Sequence, residues 1–159
     1  MRNEIFPILG IAALDQASKA LAAGLPAGGK TLIPGVAALR YTENRGMAFS
    51  FLSGKPGWVA AVSLLAAAAL WLWGRKQEMN RAARAGWLMM LGGAAGNLID
   101  RVFRGFVPDM IELLFVRFAV FNVADCCVTL GCVLLAAGLL KGIKKQAGPE
   151  ENSGIRPGG

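Results

Sequence analysis

The sequence predicts an all-α membrane protein: four transmembrane helices, with a small extracytoplasmic β-hairpin cradle between helices 1 and 2. Three observations carry this prediction. Hydrophobic residues make up 55% of the 159 residues, above the roughly 45–50% of an ordinary soluble domain, and mean hydropathy is +0.48. Four stretches approach the roughly 20 apolar residues that a helix needs to cross a hydrocarbon core of about 30 Å. The cations cluster in short connections between those stretches.

The first helix is expected over about residues 5–25. It carries Asp15 and Lys19, and no small-residue cleavage motif follows it, so it reads as a retained span rather than a secretory leader. In the connection that follows, Val36 to Thr42 and Met47 to Phe51 suit short strands, with Glu43, Asn44, Arg45 and Gly46 as the turn of a hairpin. The second helix, about 57–74, is free of charge. Trp58, Trp71 and Trp73 in it, and Trp87 at the start of the third, suit interfacial aromatic belts.

The third helix is expected over about 85–102, with Gly92, Gly93 and Gly96 allowing close approach of a neighbouring helix. The fourth, about 119–140, holds Cys126, Cys127 and Cys132, which read as small packing residues, since a disulfide framework has no place inside a span. Residues 1–145 form one membrane-embedded domain, and 146–159, polar and rich in Gly and Pro, are expected to be a disordered cytoplasmic tail.

The net charge of +7 does not point to nucleic acid, because no basic surface interleaved with aromatic residues goes with it. Topology accounts for it: Arg75, Lys76, Arg81 and Arg84 lie between helices 2 and 3, and Lys141, Lys144 and Lys145 follow helix 4. Short cation-rich connections stay on the cytoplasmic side, so both termini are expected there.

Chemistry is narrowed by what is missing. Without histidine, Ser-His and Cys-His catalysis and the usual zinc sites are excluded, and neither metal nor cofactor is expected. Ser18 beside Lys19 does not make a Ser-Lys pair, because neighbours on a helix point about 100° apart. The carboxylates remain. All four aspartates, Asp15, Asp100, Asp109 and Asp125, lie in a span or in the outer connection before helix 4. At about 1.5 Å per residue, Asp100 and Asp125 each stand about 22 Å above the inner ends of their helices, at a common depth in the outer half of the bilayer.

An ionised side chain at the bilayer centre costs about 2.5–3.5 kcal/mol, so such residues need partners or a function. Asn97, Asp100 and Arg101 recur at helical spacing, as do Asn122 and Asp125. Interhelical hydrogen bonds and buried ion pairs are one account of them, and Asp100 with Arg101 reads best that way. Asp109 and Asp125 have no adjacent cation and could meet at the interface. Two close carboxylates cannot both ionise easily, so they share a proton and can activate water while protonating a carbonyl. On spacing alone, Asp109 reads better as a solvated loop acid than as a catalytic group.

Five ordered blocks add to this: Asp15-Gln16 with Lys19; Asn44-Arg45-Gly46 with Ala48-Phe49; Gly92-Gly93 through Gly96-Asn97 with Asp100-Arg101; Val107 with Asp109 and Ile111; and Phe121-Asn122 with Ala124-Asp125. Over about residues 5–145 they resemble the lipoprotein signal peptidases, or signal peptidase II, membrane aspartyl proteases of bacteria. The resemblance implies a catalytic dyad of Asp109 and Asp125, with Asn97, Asp100, Arg101 and Asn122 organising the pocket and Asp15, Asn44 and Gly46 supporting it.

It further implies an aspartyl endopeptidase of the bacterial cytoplasmic (inner) membrane, acting near the extracytoplasmic face. Such an enzyme removes the signal peptide from diacylglyceryl-modified prolipoproteins just before the lipidated cysteine. Its partners would be lipidated prolipoproteins and membrane lipid, without nucleic acid, and it would act as a monomer. Pro108 before Asp109 and Met47 in the hairpin depart from the family pattern without removing a polar motif residue. The competing reading is a non-catalytic lipid-binding or transport helix bundle.

Overall fold

The structure, a computed structural model, describes residues 2–46, 56–116 and 119–146. Among these residues the order of elements is α1 (Arg2–Ala22), β1 (Lys30–Ile33), β2 (Ala37–Asn44), α2 (Pro56–Gly74), α3 (Arg81–Phe103), β3 (Val107–Leu113) and α4 (Val123–Gln146). Three helices contain windows long and apolar enough to cross a membrane: Glu4–Ala22, Gly57–Gly74 and Val123–Gly142.

Local chemistry sets the boundaries. Pro56 opens α2, where its missing N–H costs nothing. Asn80 caps α3 by accepting from the Ala83 N–H at 2.9 Å, the usual remedy for an orphan donor at a helix start. That cap begins α3 four residues before the sequence suggests, absorbing Arg81 and Arg84 into its first turn. At the other end the Arg104 and Gly105 N–H groups both bond the Asp100 carbonyl, at 2.7 and 3.1 Å. Gly105 takes φ 76°, a left-handed turn that stops the helix. Helix α4 begins at Val123, later than expected, and runs on to Gln146.

Helix α3 is the centre of the bundle and packs against α1, α2 and α4. Glycines set its distance from α4: a Cβ on Gly86 would meet the Gly131 carbonyl, and one on Gly93 the Ala124 carbonyl. Without those side chains the backbones approach closely, as small residues permit inside membranes. The apolar core of the bundle is Ala83, Trp87, Leu91 and Leu135. Trp87 thus belongs to the core rather than to an interfacial belt. It is 2% exposed, stacks on Trp71 at 5.4 Å between ring centroids and donates its indole N–H to the Leu70 carbonyl. Cys126 and Cys132 face outward instead of packing inside, and all three cysteines are free thiols.

The strands differ more from expectation. They form an antiparallel sheet in the order β1-β2-β3. Glu43 and Asn44 continue β2 rather than turning, pairing with Pro108 and Val107 of β3. The expected partner strand, Met47 to Phe51, lies outside the described residues. β3 comes from the connection before α4, and Phe121 extends the sheet beyond it through a bridge to Ile111. The distribution of side chains is inverted relative to a soluble protein. Leu21 is 79% and Phe103 82% exposed, while Asp15, Asp100 and Asn122 are completely buried. Apolar outside and polar inside is what a lipid solvent selects.

Candidate active site

The buried polar groups converge where the sheet meets the helices. Asp109 stands in β3 opposite Thr42 of β2, with 3% exposure. It is therefore not a solvated loop acid: the strand pairing, which the sequence pattern did not reveal, carries it inward. Its Oδ1 accepts from Asn122 Nδ2 at 2.6 Å and its Oδ2 from Asn44 Nδ2 at 3.1 Å. Asn44, the last residue of β2, also accepts from the Gly46 N–H at 3.1 Å, so the chain after the strand is folded back on the same side chain. Burial pushes the Asp109 carboxyl up to about 6, and the charge of Asp125 adds to the rise, against the hydrogen bonds from Asn122 and Asn44.

Asp125 is half-buried in the first turn of α4. Its Oδ1 accepts from Asn97 Nδ2 at 2.8 Å. Asn97 lies on α3, and its Oδ1 accepts from Asn122 Nδ2 at 3.2 Å. The two amides therefore form a bridge with Asp125 at one end and Asp109 at the other.

Beneath the bridge sits an ionic cluster. Asp15 of α1 accepts from the Ala124 N–H of α4 at 2.9 Å and from Lys19 at 2.6 Å. Lys19 also reaches Asp100 at 2.6 Å and Asn97 Oδ1 at 2.9 Å. Gln16 adds a bond to Asp100 at 3.1 Å and one to the Gly96 carbonyl at 3.1 Å. Sequence reasoning assigned no site role to Lys19 or Gln16. Their positions one and four residues after Asp15 were the available signal.

Asp100 and Arg101 do not pair. Asp100 points at α1, to Lys19, with Arg104 Nη1 at 3.0 Å from its other oxygen. The half-buried Arg101 bonds the Asn97 carbonyl at 3.3 Å. Neighbouring residues leave a helix in different directions, which separates them. Arg101 and Asn97 help line a cavity of about 350 Å³ between α2, α3 and α4, otherwise walled mainly by apolar residues such as Val62, Leu70, Met90 and Val128.

Of the residues expected at the site, Asp15, Asn44, Asn97, Asp100, Asp109, Asn122 and Asp125 are thus joined in one hydrogen-bonded network, with Gly46 and Arg101 attached through Asn44 and the Asn97 backbone. Fold and site together define a helical membrane protein with two carboxylates bridged inside it.

Comparison with known proteins is specific. The family model described as signal peptidase (SPase) II matches residues 7–141, and the chain belongs to that family. It is 36% identical over 137 residues to the lipoprotein signal peptidase of Streptococcus pneumoniae, covering 84% of this chain and 90% of the relative. It is 38% identical over 109 residues to that of Latilactobacillus sakei, covering 67% and 72%. A solved bacterial membrane enzyme is similar in structure, with TM-score 0.81 and 25% identity, covering 98% of this chain and 96% of the other.

Proposed function

We propose that this chain is an aspartyl endopeptidase that removes the signal peptide from diacylglyceryl-modified prolipoproteins just before the lipidated cysteine, with Asp109 and Asp125 as the catalytic dyad. The observation that carries this reading is the Asn97–Asn122 bridge, which holds one carboxylate at each end. Asp109, raised to about 6, is the natural holder of the shared proton; the titration belongs to the pair.

Water between the carboxylates attacks the scissile carbonyl carbon. Its proton passes to the ionised member while the protonated member donates to the carbonyl oxygen, giving a neutral tetrahedral diol. The acid that gained the water proton then protonates the departing nitrogen, the C–N bond breaks, and a diol proton returns to the other carboxylate as the acid forms.

Four helices span the bacterial inner membrane in this reading, with α3 as the fourth span, and both termini are cytoplasmic. Arg75, Lys76, Arg81 and Arg84 mark the inner side, and the sheet and dyad lie at the opposite, extracytoplasmic end. The cavity beside Asn97 and Arg101 suits an apolar segment presented from within the bilayer. In this reading the enzyme acts as a monomer.

The test is processing of a lipidated precursor by purified Asp109→Asn and Asp125→Asn proteins, each checked for membrane insertion. Neither is expected to release the signal peptide. Normal cleavage by either variant refutes the dyad, whereas a lipid-binding bundle would release no signal peptide even as the unmodified protein.

A further inference from the structure

The Lys19 side chain is completely buried, and its ammonium bonds Asp15 Oδ2, Asp100 Oδ2 and Asn97 Oδ1 at 2.6, 2.6 and 2.9 Å. An ammonium has three donors and no acceptor, so its capacity is used in full and each partner must present oxygen. For the carboxylates that condition is met either way round. For Asn97 it is decisive: oxygen toward Lys19 leaves the NH₂ group directed at Asp125. The same oxygen receives Asn122 Nδ2, which also donates to Asp109.

We propose that Lys19 is a positioning residue for the Asp109–Asp125 pair: by fixing which way the Asn97 amide lies, it makes one ordered network present N–H donors to both carboxylates. With the amide reversed, Asn97 Oδ1 would face the Asp125 oxygen that it now serves as donor, two acceptors in contact. Asp125 would then have to move away from the bridge. The same reversal would turn the Asn97 NH₂ toward Asn122 Nδ2, so the bond that couples Asn97 to Asn122, and through it to Asp109, would be lost, leaving Asn122 held by its helix cap and its bond to Asp109.

The charged groups around Lys19 are Asp15 on its own helix, Asp100, Arg101 and Arg104 on α3, Asp109 on β3 and Asp125 on α4. Among the described residues Lys19 is the cation bonded to the amide bridge by its side chain, and Arg101 bonds the Asn97 backbone carbonyl. Its positive charge also holds Asp109 down, which gives the proposal a readout that packing alone would not move.

The inference rests on the dyad reading, and the experiment separates the two. Full-length protein in detergent is assayed on a lipidated precursor for kcat, KM, pH profile and Tm, as Lys19→Met, as Asp100→Asn and as the double variant. Lys19→Met alone strands two buried acids. The double variant removes one of those charges and is read against the Asp100→Asn single.

The expected result is a folded double variant with kcat about 100-fold below the single, the scale of a small misplacement of reacting groups. KM should be unchanged and the alkaline limb of the profile displaced upward. A double variant with the single's kcat and limb, or one whose rate recovers in step with Tm, overturns the proposal. If Asp109→Asn or Asp125→Asn is active, the dyad reading itself has failed. If both are dead while the double variant matches the single, only the role of Lys19 has failed.

Discussion

Asn122 and Asp125 cap each other across the first turn of α4. The Asn122 side chain accepts from the Asp125 N–H at 2.9 Å, and the Asp125 carboxylate accepts from the Asn122 N–H at 3.4 Å. This reciprocal arrangement is a capping box. It ties the orientation of Asp125 to the start of the helix, while the Asn122 amide reaches on to Asp109 and Asn97.

The two duties of Asn122 are separable. Asn122→Ser keeps an oxygen for the cap but loses the NH₂ that serves Asp109, so Tm should stay near that of the unmodified protein while kcat falls about 100-fold. Asn122→Ala loses both and should also cost about 1 kcal/mol or more of stability. Thermal melts paired with precursor cleavage measure the two effects independently.

Asp109 predicts a pH dependence of definite sign. Its folded-state value of about 6 lies above the 3.8 of an ordinary aspartate. The stability it contributes is therefore fully present below the lower value and lost as pH rises through the higher one. About two pKa units correspond to about 3 kcal/mol. Between about pH 4 and pH 7 the unmodified protein should lose that much stability relative to Asp109→Asn. The kcat/KM profile should have its alkaline limb near 6, and the kcat limb should lie higher, because bound substrate desolvates the pair further.

Asn44 supplies one of the hydrogen bonds that hold the Asp109 value down. Asn44→Ala should move the alkaline limb of kcat/KM upward, and it should loosen the turn at Gly46 that the same side chain closes. A pH series with this variant checks the shift; an unmoved limb would mean that the bond does not favour the ionised form.

The helices were legible because apolar runs over the required length are a bulk property that survives errors at the ends. The sheet was only partly so. β3, Val107–Leu113, begins Val-Pro-Asp and is buried on consecutive residues, so it lacks the alternation that reveals a half-buried strand. β1 has four residues, all exposed. At the site, the acids and amides stood out because charge inside a span demands an explanation. What they touch did not: Asp100 was matched to its sequence neighbour Arg101, whereas its partner Lys19 lies 81 residues away. Long-range choice of partner depends on helix rotation, which periodicity does not supply.

Glycines offer a contrast within one helix pair. A Cβ on Gly96 would meet Asp15 Oδ2 at 2.5 Å, whereas one on Gly10 would meet nothing within 4 Å. Gly96→Ala should displace Asp15, cost about 1–3 kcal/mol and reduce cleavage, and Gly10→Ala should leave both Tm and cleavage unchanged.

The bond from the Ala124 N–H to Asp15 has a bearing on biosynthesis. It joins α1 to α4 across 109 residues of sequence, so it forms only after α4 has been made. A nascent polypeptide halted before α4 has Asp109 but lacks Asn122, Asp125 and the helix start that Asp15 engages. On the proposed reading the Asp109–Asp125 pair is therefore complete only once α4 docks, and a translation product without α4 has no assembled pair with which to cut its neighbours.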